Sequence, residues 1–173
     1  MKRLLVVVDY QNDFIDGALG FPGADNIEGS IIELIKEFES KDEDIVFTVD
    51  THLPDYMNTN EGANLPVPHC IKGSDGWRIR NSLSPYIKDN KVFEKHTFGS
   101  SELGLFIKEN KYDEILLCGL VSDICVATNT LIAKSFAGPC AKIRIVRSAT
   151  SSFDLEMQEK TFDVLKHLHI TIE

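Results

Sequence analysis

Short runs of apolar and β-branched residues alternate along the chain with longer segments in which apolar residues recur at helical spacing. The short runs predict six strands, at residues 4–8, 45–49, 91–97, 114–120, 142–147 and 169–172. The longer segments predict four helices, at residues 27–38 (which Asp25 would cap), 102–110, 122–136 and 154–167. Residues 51–76 carry three Pro and three Gly, so they predict a long irregular loop with room for one helical turn.

This alternation of strands and helices predicts the fold class. Strands that are apolar throughout are typical of a sheet covered on both faces, so we predict an α/β, doubly wound (Rossmann-like) fold with a six-stranded, mainly parallel sheet. No linker divides the 173 residues, which predicts a single domain over residues 1–173. In such sheets ligands bind beyond the carboxyl ends of the strands. The polar residues expected there are Asp9, Asp50, Lys95 and those of segment 121–125, and the long loop leaves the same edge.

Composition narrows the choice of partners. With 18 Lys and Arg against 27 Asp and Glu, the formal net charge is −9, which argues against a general nucleic-acid binder because phosphate contacts need a basic surface. No apolar run approaches the roughly 20 residues that span a bilayer, and the first residues lack the apolar core of a signal peptide. We therefore expect a cytoplasmic protein without a nucleic-acid or membrane partner. The sequence leaves open whether copies of the chain form a homo-oligomer.

The segment from Gly119 to Cys125 runs from a predicted strand into a predicted helix. If Ser122 caps that helix, Cys125 lies in its first turn, where the helix dipole lowers a thiol pKa and free N–H groups form an oxyanion hole. From neighbouring strand ends, Lys95 would favour the thiolate and Asp9 would take and return a proton. The alternative interpretation is a buried structural cysteine beside an inert lysine and an ordinary aspartate. Cys118 and Cys140 are expected to be structural, and Cys70 has no assigned role.

A second set of polar residues has the character of metal ligands. Asp50 and His52 lie two residues apart where a strand ends, so both side chains can point the same way. The loop that follows adds Glu61 and His69. Two imidazoles with one or two carboxylates suit Zn²⁺, Mn²⁺ or Fe²⁺, and the set does not choose among them. The alternative is a capped turn with a solvated glutamate.

These residues fall in four segments spread over nearly the whole chain. The segments are Asp9-Tyr10-Gln11-Asn12-Asp13-Phe14, then Asp50-Thr51-His52 with Pro68-His69-Cys70-Ile71-Lys72-Gly73, then Lys95 with Phe98, and finally Gly119–Cys125. In this order they resemble the motifs of the isochorismatase-like cysteine hydrolases, and within that family those of the nicotinamidases.

The resemblance implies a role for each matched residue. Asp9, Lys95 and Cys125 would form the catalytic triad. A cis peptide bond would join Leu120 to Val121, and the N–H groups of Val121 and Cys125 would form the oxyanion hole. The metal would be bound by Asp50, His52 and His69. Glu61 would be a fourth ligand, although its spacing differs by one residue from that in the family.

The resemblance also implies a substrate pocket. Phe14 would stack on the substrate ring. Leu65 stands near a position where the family often has an aromatic residue, and Val121 replaces the usual Ala. The expected substrate-binding residues are Phe14, Leu65, Phe98, Val121 and Ile124.

The function implied is that of a metal-containing cysteine amidohydrolase, with zinc as the first expectation for the metal. It would convert nicotinamide to nicotinate and ammonia through a thioester on Cys125. One alternative is another small-amide or carbamoyl hydrolase of the same family. A more distant alternative is a signalling receiver domain, in which Asp50 would accept a phosphoryl group with Mg²⁺ as its partner.

Overall fold

The computed structural model describes residues 1–173 and contains one six-stranded parallel sheet. Its strands are β1 Arg3–Val8, β2 Asp44–Asp50, β3 Lys91–Lys95, β4 Glu114–Leu120, β5 Lys142–Ser151 and β6 Thr171–Ile172. Its α-helices are α1 Asn12–Ile15, α2 Glu28–Ser40, α3 Asn60–Asn64, α4 Ser84–Ile87, α5 Ser101–Asn110, α6 Ala127–Phe136 and α7 Leu155–His167. Three 3₁₀ turns and one π-helical turn complete the regular structure: Asp25–Ile27, Tyr56–Asn58, Asn81–Leu83 and Ser122–Val126.

The sheet is covered on both faces, as predicted. Side chains of β1 alternate between two hydrophobic clusters, with Leu4, Val6 and Val8 in one and Leu5 and Val7 in the other. This alternation follows from the two-residue period of a strand and explains why the strand is apolar at every position. The α/β doubly wound fold class is therefore confirmed. None of the helices is both long enough and apolar enough to span a lipid bilayer.

The strand order is β3-β2-β1-β4-β5-β6. The chain moves outward from β1 in one direction through β2 and β3, then returns to add β4 on the other side of β1. The carboxyl ends of β1 and β4 therefore flank the point where the order reverses, which is where open α/β sheets bind their ligands.

Several predicted boundaries are wrong for local reasons. Asp25 does not cap α2, because it begins a 3₁₀ turn that leads directly into that helix. β5 continues past Arg147 to Ser151, with a register shift against β4 that the sequence pattern does not show. The last strand starts at Thr171, since the two residues before it donate hydrogen bonds to carbonyls at the end of α7.

Candidate active site

Asp9, Lys95 and Cys125 meet beyond the carboxyl ends of the strands, and we call them the thiol cluster. Lys95 Nζ lies 2.7 Å from Asp9 Oδ2 and 3.5 Å from Cys125 Sγ. All three residues are at most 5% exposed. The sequence prediction that these residues converge therefore agrees with the structure.

The register of the sheet fixes this arrangement. Asp9 directly follows β1, and Lys95 is the last residue of β3, two strands away. Asp50 ends the intervening strand β2 and is paired with Lys95. The Thr48 hydroxyl donates to Asp9 Oδ1 at 2.7 Å, and Lys95 Nζ donates to Asp50 Oδ1 at 3.0 Å.

Cys125 lies in the π-helical turn Ser122–Val126 that joins β4 to α6. The peptide bond between Leu120 and Val121 is cis, as the resemblance implied. Ser122 does not cap the helix, because Val121 occupies that position and no side chain supplies a cap. The Ser122 hydroxyl is instead turned into the protein interior.

The electrostatics of the thiol cluster differ from the sequence expectation. Burial raises the pKa of the Cys125 thiol well above its usual value, and the nearby Asp9 and Asp50 carboxylates raise it further, against the lowering effect of Lys95. Burial and Asp50 also raise the pKa of Asp9, although Lys95 opposes them. The net shift of the thiol pKa is therefore upward, because burial and the two carboxylates outweigh Lys95. Both shifts have the same main cause, because burial disfavours a negative charge on either Asp9 or Cys125.

A second cluster, which we call the ligand cluster, consists of Asp50, His52, Glu61 and His69. Their candidate ligand atoms all lie within 4.8 Å of one another. His52 Nε2 is 3.0 Å from Asp50 Oδ2 and 3.6 Å from Glu61 Oε1, and His69 Nε2 is 3.5 Å from both oxygens. Two imidazole nitrogens facing two carboxylates form a donor set that fits Zn²⁺, Mn²⁺ or Fe²⁺.

A hydrogen bond beside the ligand cluster indicates which nitrogen of His69 is available to a metal ion. His69 Nδ1 lies 2.8 Å from the Val67 carbonyl, so Nδ1 carries the hydrogen when Nε2 binds a cation. Burial alone would lower the pKa of His69, but hydrogen bonds to Asp50, Glu61 and Val67 raise it to about 9. The four side chains are thus a candidate set of ligands for one metal ion.

Two residues of the first motif hold the ligand cluster in place, although sequence reasoning gave them no role. The Gln11 side chain accepts from the backbone N–H of Asp50 at 2.7 Å and donates to its carbonyl at 2.9 Å. Asp13 accepts from the backbone N–H of Cys70, the neighbour of His69, at 2.7 Å. Their presence in the motif was the only available signal.

Both clusters reach one cavity of about 370 Å³. The five expected substrate-binding residues line it, together with Cys125 and three members of the ligand cluster. Five further residues of the lining were not predicted from the sequence: Ala18, Leu19, Gly20, Phe21 and Phe153. No lysine or arginine lines the cavity. The cavity is therefore an apolar space with a thiol and candidate metal ligands in its wall.

Comparison with known proteins agrees with this architecture. The family model described as the isochorismatase domain matches residues 3–172. The chain belongs to the isochorismatase family. A family protein of Bacillus subtilis strain 168, described as the uncharacterized isochorismatase family protein PncA, is 33% identical over 171 residues, which covers 90% of each chain.

Two solved structures of family members show the same fold. The pyrazinamidase of Pyrococcus horikoshii in complex with zinc superimposes with a TM-score of 0.87 at 26% identity, over 100% of this chain and 99% of that one. The nicotinamidase PncA of Bacillus subtilis superimposes with a TM-score of 0.85 at 30% identity, over 99% of both chains.

Membership of the isochorismatase family removes the receiver-domain alternative. In addition, Asp50 is 2% exposed and both of its carboxylate oxygens contact other side chains, so it does not offer a free acceptor for phosphoryl transfer. Among the remaining cysteines, Cys70 and Cys118 are buried. Cys140 is exposed, which does not fit the structural role that the sequence predicted for it.

Proposed function

We propose that this isochorismatase-family protein is a metal-dependent cysteine amidohydrolase that converts nicotinamide to nicotinate and ammonia. The observation that carries the proposal is that the Cys125 thiol and the ligand cluster open into the same apolar cavity. The names of the two related structures, a pyrazinamidase and a nicotinamidase, support an aromatic amide as substrate.

The cavity wall favours a neutral, flat substrate. Phe14 and Phe98 supply aromatic faces, while Leu65 and Ile124 add aliphatic ones. Because no lysine or arginine lines the wall, a substrate that carries a carboxylate would gain no ion pair away from the ligand cluster. A pyridine carboxamide meets both conditions.

Acylation begins with proton transfer from the Cys125 thiol to Asp9. The sulfur then attacks the carboxamide carbon, a C–S bond forms, and the N–H groups of Val121 and Cys125 hold the oxyanion. The C–N bond breaks as Asp9 returns the proton to the departing nitrogen, which leaves as ammonia. Lys95 keeps its charge throughout and stabilises whichever of Asp9 and Cys125 is anionic.

Deacylation reverses these roles. Asp9 takes a proton from a water molecule that attacks the thioester carbon, and the C–S bond breaks to release nicotinate. The proton held on Asp9 then returns to the sulfur of Cys125. One amide and one water are consumed, and one acid and one ammonia are formed.

The four residues of the ligand cluster would hold the metal ion. A divalent ion bound there would act as a Lewis acid towards the ring nitrogen of a pyridine, directly or through water. The role of these residues is thus to orient the ring so that the carboxamide faces Cys125.

The test is ammonia release by the metal-loaded protein from a panel of nicotinamide, pyrazinamide and aliphatic primary amides. We expect the highest kcat/KM on the two aromatic amides. Turnover of aliphatic amides alone would contradict the nicotinamide assignment and favour the second candidate, another small-amide hydrolase of the family. The aliphatic Leu65 in the cavity wall is the feature that keeps this candidate in the panel.

A further inference from the structure

A buried polar network lies behind the turn that carries Cys125. It consists of the hydroxyls of Ser122 and Thr150, the side-chain amide of Gln158 and the carbonyl of Gly119, and we call it the turn network. Its three side chains are at most 7% exposed. None of them lines the cavity, so the network does not contact substrate directly.

The distances in the turn network are those of firm hydrogen bonds. Ser122 Oγ lies 2.7 Å from Gln158 Oε1 and 3.0 Å from Thr150 Oγ1. Thr150 Oγ1 in turn donates to the Gly119 carbonyl at 2.8 Å. Buried hydroxyls without partners are costly, so each bond restricts the position of the groups that it joins.

The network forms hydrogen bonds with the chain on both sides of the Leu120–Val121 peptide bond. Gly119 and Ser122 flank Leu120 and Val121, and Ser122 begins the π-helical turn that contains Cys125. Gln158 belongs to α7, and Thr150 to the far end of β5. β5 and α7, which supply no proposed catalytic group, are therefore hydrogen-bonded to the turn that carries Cys125.

An amide suits this position because its two ends have the same shape. It accepts a hydrogen from Ser122 through Oε1, as in the structure, and it can donate one through Nε2. Three contacts among two hydroxyls, an amide and a carbonyl need three hydrogens, and the hydroxyls supply only two. In the structure Nε2 lies 3.4 Å from Glu159 Oε1, so turning the amide would give every contact of the network a donor but would remove this one hydrogen bond.

We propose that Gln158, through the hydroxyls of Ser122 and Thr150, is a positioning residue that sets the placement of the Cys125 nucleophile and of the Val121 N–H group. This rests on the proposed function only in taking Cys125 as the nucleophile. A shift of the turn moves the sulfur relative to a bound carboxamide but leaves the ring-binding side chains of other elements in place. The network therefore acts mainly on kcat, with a smaller effect on KM through Val121 and Ile124, which line the cavity from the turn itself.

The main variant is Gln158→Met, which keeps the length of the side chain and removes its hydrogen bonds. We expect kcat to fall about tenfold with KM within about twofold of wild type, since displacements below 1 Å have effects of this order. The matched control is Phe162→Leu, a fully buried position on the same helix. We expect it to lower Tm at least as much as Gln158→Met but to leave kcat within about twofold of wild type.

Two variants at Ser122 test the route of the effect. Ser122→Thr retains the hydroxyl and is expected to retain kcat, whereas Ser122→Ala is expected to lower kcat as Gln158→Met does. The double variant Ser122→Ala/Gln158→Met should lose no more than the larger single loss, because both changes break the same chain of bonds. Additive losses would overturn the proposal.

Hydrogen exchange supplies a readout that needs no substrate. We expect the amides of residues 119–126 to exchange at least tenfold faster in Gln158→Met than in Phe162→Leu. Equal exchange in the two variants, or an equal fall in kcat, would show that Gln158 is merely structural. If the wild type does not hydrolyse nicotinamide, the proposed function fails, while the exchange comparison still decides the role of Gln158.

Discussion

The thiol cluster and the ligand cluster are neighbours, yet the chain builds them in different ways. Asp9 and Lys95 lie at the carboxyl ends of β1 and β3, and Cys125 lies in the turn that follows β4, so the strand topology brings the three side chains to one edge of the sheet. Only Asp50 of the ligand cluster lies on a strand. The other three ligands come from the segment after β2, which is held by the Thr59 cap of α3 and by the bridge between His52 and Ile71.

Asp50 connects the two clusters. One carboxylate oxygen contacts Lys95, and the other faces both His52 and His69. Hydrogen bonds to the two histidines and the charge of Lys95 hold the pKa of Asp50 well below its usual value, although burial opposes them. Asp50 is thus the one side chain that contacts members of both clusters, and under the proposed function a change at Asp50 would affect both.

The largest effect is expected from removal of the proposed nucleophile, which changes the thiol cluster and leaves the ligand cluster intact. Cys125→Ala should lower kcat by about 10³-fold or more, because no other group at the site can form the thioester. Metal content should stay at the wild-type level, since the ligand cluster is untouched. Ammonia release and metal analysis on the same sample check both parts, and turnover within tenfold of wild type would contradict the covalent route.

A change at Asp50 should affect both clusters at once. We expect Asp50→Asn to lower metal content and to lower kcat about 10²-fold, because Lys95 loses one of its two carboxylate partners. Metal titration and steady-state kinetics are the measurements. If added metal restored full kcat, the two clusters would be independent.

Loss of a histidine ligand should act mainly on substrate binding. His69→Ala, or treatment of the wild type with a chelator, is expected to raise KM for nicotinamide at least tenfold, on the scale of disrupted metal sites. Glu61→Gln is the matched control, because Glu61 is the most exposed ligand, at 16%, and we expect it to weaken metal binding less. Equal metal affinities of the two variants would contradict this order.

The smallest effect is expected at the outer wall of the cavity. Phe153 packs edge-to-face against Phe21, with ring centroids 6.2 Å apart, and is 63% exposed. Phe153→Ala should raise KM a few-fold without changing kcat, because it removes one apolar face of the cavity and none of the proposed catalytic or metal-binding groups. Leu155→Ala, at an equally exposed position outside the cavity lining, serves as the control in the same kinetic assay.

The contrast between residues placed by strands and residues placed by irregular segments also explains how far the sequence predicts the structure. β4 begins and ends as predicted, because its seven residues are all buried and the six after Glu114 form one apolar run. The helices α1 and α4 have four residues each, too few to show a helical period, and were missed. Boundaries that depend on tertiary contacts, such as the end of β5, leave no local pattern.

At the candidate site, residues at strand ends could be predicted and residues from irregular segments could not. The topology brings Asp9 and Lys95 to one edge of the sheet, and the turn with Cys125 starts at the same edge. Phe21 and Phe153 come from the segments after α1 and β5, and only packing brings them to the same cavity. The raised pKa of Cys125 was also missed, because the depth of its burial depends on the whole fold.

Rapid mixing of the metal-loaded enzyme with excess nicotinamide, acid quenching and peptide mass spectrometry tests the central claim most directly. The account predicts a nicotinoyl group on the peptide that contains Cys125, and none on the same peptide of Cys125→Ala. A nicotinoyl group on a different residue, or nicotinate formed by Cys125→Ala at the wild-type rate, would contradict it.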